Sequence, residues 1–187
     1  MSSTYRTSCF VALACLGAIA PIESCRAASR VEVTLGVPEA RDPAHPAVVT
    51  FELRNAGDAP VSVLKWQTPF VEANGRLANP QFRVKDAEGT SLRYTGFNLK
   101  FVGPEMTSYM LMMPGETLRK DVDLIDEYDF SAGGDFTVSY ELSLDIPPDP
   151  RMTTEAERRA YFAPSQERVV ANPVTIHVDA AQAGRRD

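Results

Sequence analysis

Short runs in which apolar and polar positions alternate punctuate the chain, the period-2 signature of strands with one face toward a core. Val31, Val33 and Leu35 alternate with Glu32 and Thr34. Val49, Phe51 and Leu53 alternate in the same way and end at the turn sequence of residues 55–58. Residues 61–64 follow, with Trp66 close behind. Residues 82–84 precede a turn at 86–89, and residues 92–94 are expected to return as their hairpin partner. Residues 97–102 form another candidate strand. Residues 109–113 end at the turn pair Pro114-Gly115, and residues 117–124 alternate again. The clearest run places Phe136, Val138, Tyr140, Leu142 and Leu144 on one face after Gly133 and Gly134. Residues 169–178 close the series as one strand, with Pro173 at its start or at a bulge. Turn signals at roughly 8–12-residue spacing predict an all-β, antiparallel β-sandwich of about eight or nine strands. The spacing leaves no room for the crossover helices of a parallel sheet.

Two segments depart from this pattern. A proline-rich stretch at 146–150 stops the long strand, and Thr154 with Glu157 has capping-box spacing before two helical turns at 155–162. Residues 147–165 therefore read as a short helical insertion before the last strand, either a solvated loop or a partner-contact loop carrying Tyr161 and Phe162. The other departure is N-terminal. Residues 9–20 are apolar but shorter than the ~20 residues a spanning helix needs. Cys25 and Ala27 stand at −3 and −1 of a cleavage site, so residues 1–27 read as a signal peptide and the protein as secreted or periplasmic. The alternative is a lipoprotein anchored through Cys25, with Ile22 and Ser24 in lipobox positions and Glu23 out of place. The domain is expected over 28–179, followed by a flexible tail at 180–187.

Composition narrows the chemistry. Nineteen Lys and Arg against 25 Asp and Glu give a net charge of −6, which is not a nucleic-acid footprint. Cys9, Cys15 and Cys25 all fall in the leader, so the mature chain has no disulfide and no thiol nucleophile. It has no transmembrane run either. His45 and His177 belong to no HExxH motif, no G-x-S-x-G elbow occurs, and no G-K-[ST] follows Gly133-Gly134. The acidic run at 121–129 lacks the spacing of a calcium loop and reads as a solvated strand edge with Val122, Leu124 and Tyr128 turned inward. The expectation is a protein without catalytic residues, metal or cofactor.

The residues from Phe51 to Leu142 resemble a known family. Its pieces run in order: the strand–turn–strand opening at 51–61, then Val63-Leu64-Lys65-Trp66-Gln67-Thr68-Pro69-Phe70, the most specific piece. Phe82-Arg83-Val84, Tyr94-Thr95-Gly96, Leu99-Lys100, the Pro114-Gly115-Glu116 turn, Val122-Asp123-Leu124, Tyr128-Asp129 and residues 134–140 complete it. Together they are similar to the N-terminal prodomain of deuterolysin-type zinc endopeptidases, the group that includes the peptidyl-Lys metallopeptidases. No HExxH occurs in the 187 residues, so the resemblance is to the prodomain without the catalytic domain. It implies an immunoglobulin-like sandwich that keeps a zinc endopeptidase latent or assists its folding. The opening and the Pro-Gly-Glu turn are also similar to small bacterial proteinase-inhibitor domains. A general immunoglobulin-like envelope or adhesion domain with no protease partner is the alternative, since fold does not fix function.

The candidate contact residues carry a structural reading beside the functional one. Trp66, the sole tryptophan, is either a core ring or an interface anchor. It follows Lys65, and Thr68, Pro69 and Phe70 leave the strand as a stiffened loop that a cleft could accept or as a plain connection. Lys100, beside Leu99, matches a lysine position of the family. The resemblance implies a side chain that could enter a lysine-preferring cleft, against a solvated strand lysine. Tyr109 lies among Met106, Met110, Met112 and Met113, which suit an adaptable interface or a core.

Overall fold

A computed structural model of the chain describes residues 30–40, 42–101, 105–144 and 167–183. The leader at 1–27 with its Cys25 alternative, the insertion at 147–165 and the last residues of the tail lie outside the described residues.

The architecture is all-β, and every strand pairing is antiparallel. In chain order the strands are β1 (Val31–Gly36), β2 (Val48–Asn55), β3 (Val61–Leu64), β4 (Glu72–Ala73), β5 (Arg76–Leu77), β6 (Phe82–Lys85), β7 (Tyr109–Met112), β8 (Thr117–Asp123), β9 (Gly134–Ser143), β10 (Arg168–Val170) and β11 (Val174–Val178). One sheet runs β1-β2-β8. The other centres on β9, with β6 on one side and β10 and β11 in succession along the other. β3 pairs β7, and β4 pairs β5.

The alternation sets which faces meet. Val33, Leu35, Val49, Phe51 and Leu53 of the first sheet are buried, as are Phe82, Val84, Phe136, Val138, Tyr140, Leu142 and Ile176 of the second. Phe51 joins the two layers. Its ring lies 4.9 Å from that of Tyr140 and 6.5 Å from that of Phe82, both edge-on. Two inner faces interdigitating through such rings make a sandwich. Asn172 stitches the layers at one margin. It accepts from Leu35 N at 3.1 Å and donates to Leu35 O at 2.8 Å, so its side-chain amide takes the place of a strand neighbour of β1.

Three local expectations are corrected. Residues 92–94 begin as the expected partner of β6, with Leu92 N donating to Val84 O at 2.8 Å, but do not continue as one. After a bridge between Lys85 and Ser91 the chain crosses to residues 127–129, where Tyr94 bridges Tyr128 and Asp129 N donates to Arg93 O at 3.1 Å. Residues 97–101 are not a strand. Leu99 N donates to Ala78 O at 3.0 Å, but Leu99 and Phe101 stay exposed, so the alternate apolar positions find no core to face. Residues 169–178 form two strands, because Asn172 turns toward Leu35 and Pro173 has no N–H for the ladder. The start of the tail forms one helical turn, Ala180–Ala183, with Ala180 against Gly133.

Candidate functional site

The candidate surface is built around a single helical turn, Lys65–Gln67, that leaves β3. Thr68 ends the turn. Its N–H and its hydroxyl both bond to Lys65 O, at 2.9 and 2.6 Å, and its side chain is fully buried. A β-branched hydroxyl residue bonding back to the turn is a common way to satisfy a carbonyl that no next turn will use. Gln81 locks the same carbonyl row, its Nε2 donating to Trp66 O at 3.1 Å and Thr68 O at 2.9 Å. Pro69 is buried, with its carbonyl accepting from Lys120 Nζ at 2.8 Å. Phe70 packs on the core, 5.7 Å from the ring of Phe51. Tyr109 is buried at the start of β7.

The eight sequence-predicted contact residues therefore separate. Thr68, Pro69, Phe70 and Tyr109 face inward and shape the support. Lys65, Trp66, Leu99 and Lys100 come together at one end of the sandwich. Trp66 is half-buried and stacks on Phe101, ring centres 4.6 Å apart and 25° from parallel. Leu99 and Phe101 are 42% and 37% exposed on the irregular segment over Ala78 and Asn79. Lys65 Nζ donates to Thr107 O at 2.9 Å, which brings in the turn Met106–Ser108 and the exposed Met106. Phe101 was not among the predicted residues. Its signal in the sequence was its place in an apolar alternation with Phe97 and Leu99.

Beside Trp66 the sandwich carries a cavity of about 410 Å³ bordered by Asn79, Gln81, Arg83, Glu141 and Arg168. Glu141 bridges both arginines, at 3.5 Å to Arg83 and 2.7 Å to Arg168. Gln81 Oε1 is buried in the wall and accepts no hydrogen bond among the described residues.

A second polar cluster was missed by sequence reasoning. Glu127, from the acidic run, is 2% exposed. Its carboxylate accepts from Leu77 N at 3.1 Å and Arg76 Nε at 3.2 Å. Tyr94 stands against it, its hydroxyl donating to Leu77 O at 3.2 Å. Burial, and then the charge of Glu127, hold the Tyr94 phenol well above its ordinary range. A methyl group at Gly96 would run into Glu127 Oε2 and Tyr94 Oη, so the Tyr94-Thr95-Gly96 piece is the fitted cover of a buried carboxylate. This cluster ties β5 to the segment before β9 and offers no open acid. The rest of the acidic run lies as expected, with Val122, Leu124 and Tyr128 buried.

His45 pairs with Asp123 at 2.6 Å and His177 with Asp135 at 2.7 Å, both exposed. Among the described residues no group of three His, Cys, Asp or Glu side chains is placed to hold a metal ion. No helix of the described residues is long and apolar enough to cross a membrane.

No family model matches the chain. It is 30% identical over 131 residues to an extracellular protease of Aeromonas hydrophila, a stretch that covers 70% of this chain and 34% of that protein. The chain thus spans about a third of the length of the curated relative it matches. A solved structure of an ApaA protein from Bordetella pertussis aligns over 80% of this chain and 94% of that one, at 14% identity and a TM-score of 0.32. A likeness that low carries no argument. The similarity to a protease over part of its length is the functional clue.

Proposed function

We propose that this chain is a secreted, non-catalytic module that binds a zinc metalloendopeptidase and acts as its prodomain-like inhibitor or folding assistant. The observation that carries the reading is the shared stretch with the Aeromonas hydrophila extracellular protease, 34% of that protein and 70% of this chain. A region occupying a third of a protease, matched here by a β-sandwich without HExxH, suits a domain that accompanies a catalytic domain. Export through residues 1–27 belongs to the same proposal. The contact face is the end carrying Lys65, Trp66, Leu99 and Lys100, with Phe101 added. Lys65 and Trp66, half-buried on a turn fixed by Thr68 and Gln81, lose little freedom on docking.

The test is a titration of a purified deuterolysin-type endopeptidase, freed of its own prodomain, with the purified chain. Stoichiometric loss of peptidase activity supports an inhibitor. Faster recovery of activity on refolding the peptidase supports a folding assistant. Unchanged activity and recovery, with no complex on gel filtration, would sink the proposal.

A further inference from the structure

The contact face carries charge that the rest of the molecule does not neutralise. The chain as a whole is acidic, at −6. Yet Lys65 and Lys100 flank the Trp66–Phe101 stack and enter no ion pair among the described residues. Of the carboxylates nearby, Glu141 is held in ion pairs, bridging Arg83 and Arg168, and Glu105 in hydrogen bonds only, capping the turn Met106–Ser108. The same segments carry the exposed side chains of Leu99, Phe101 and Met106. Next to Trp66 opens the cavity with the buried acceptor Gln81 Oε1 in its wall.

From this we infer that the face receives an acidic peptide segment of the partner protease, one that sets an apolar side chain on the Trp66–Phe101 stack and carboxylates against Lys65 and Lys100. The inference rests on the protease-binding reading and names the chemistry of the segment that binds. An acidic occupant is selected because two ammonium groups without an ion-pair partner among the described residues repel a basic segment and attract an acidic one.

Trp66 is the sole tryptophan, so its emission reports on this face alone. The full chain is titrated with a synthetic peptide alternating Glu and Leu, with its Lys–Leu counterpart, and with phosphatidylglycerol vesicles. The acidic peptide is expected to shift Trp66 emission saturably. Lys65→Glu with Lys100→Glu should weaken that binding about tenfold or more, since each exposed pair contributes up to about 1 kcal/mol and a tenfold change is about 1.4 kcal/mol. Lys100 is exposed and Lys65 half-buried, and unchanged circular dichroism would show that the variant folds. Raising salt from about 0.1 M to about 1 M, which cuts the screening length from about 10 Å to about 3 Å, should weaken it likewise. An equal response to the basic peptide, a response to the vesicles alone, or no response would each overturn the inference. The protease complex separates its fate from that of the broader reading. A complex indifferent to salt and to both reversals overturns the acidic segment and leaves the binding reading standing. The absence of any complex overturns both.

Discussion

Replacing Glu127 by Ala should be among the most damaging single changes available to a polar residue in this protein. The carboxylate is 2% exposed and accepts from Leu77 N at 3.1 Å. Leu77 is itself buried, so its N–H would be left without an acceptor and without water, a loss of about 1–3 kcal/mol. Arg76 suffers less. Its side chain is 35% exposed and also donates to Asp126 O, so solvent screens the lost ion pair to about 0–1 kcal/mol. The sum is a destabilisation of about 1–4 kcal/mol. With a urea slope of about 2 kcal/mol per molar, the midpoint should fall by about 0.5–2 M. Glu127→Gln keeps an oxygen for Leu77 N and should cost roughly half as much or less. Urea unfolding followed by Trp66 emission measures all three proteins. A Glu127→Ala variant within about 0.5 kcal/mol of the parent would refute the account of a carboxylate that holds β5, as would Glu127→Gln losing as much as Ala.

Two further outcomes follow from the same physical reasoning. Gly96→Ala should destabilise by about 1–3 kcal/mol through the clash with Glu127 Oε2 and Tyr94 Oη, and should cost much less in a Glu127→Ala background. Additive losses in urea melts would contradict that contact. His45 and His177 both titrate above their ordinary value of 6.5, chiefly because of hydrogen bonds to Asp123 and Asp135. Their protonated forms favour the folded state, so this stability is fully present below about pH 6.5 and fades as pH rises through the higher folded values. The urea midpoint should decline from about pH 6 to about pH 8, and His45→Gln with His177→Gln should flatten that slope; an unchanged slope would exclude the two pairs as its source.

The sandwich was legible because its long strands keep strict alternation. In β1, β2, β8 and β9 the apolar positions named from the sequence are the buried ones. Legibility ended where a contact depends on a distant element. Glu127 sits in a run of carboxylates that reads as a surface, and only the turn after β8 rotates it toward Leu77. Residues 92–94 carry strand-like composition, but after Leu92 leaves β6 the partner of residues 93–95 lies at 127–129, a choice that local pattern does not contain. Residues 97–101 alternate correctly for a strand that has no core to cover. One signal was present and passed over. Asn74-Gly75 separates β4 from β5, with φ of 53° and 76°, the left-handed pair that a tight hairpin turn requires.

For the candidate site, the most family-specific stretch is mainly architecture. In Lys65-Trp66-Gln67-Thr68-Pro69-Phe70 the buried Thr68 hydroxyl closes the turn, Pro69 and Phe70 seat it on the core, and Gln81 pins its carbonyls. Such residues set the shape of the platform, so a relative can share them whether or not it shares a partner. What a partner could read is the smaller set left outside: Lys65, Trp66, Leu99, Lys100 and Phe101. Sequence alone could not separate the two groups, because Thr-Pro after an aromatic residue looks equally like a presented loop and like a buried brace. The hydrogen bonds to Lys65 O make it the brace. Substitutions inside it would therefore weaken folding, whereas the half-buried Lys65 and the exposed Lys100 and Phe101 can be changed to test the proposed binding by itself.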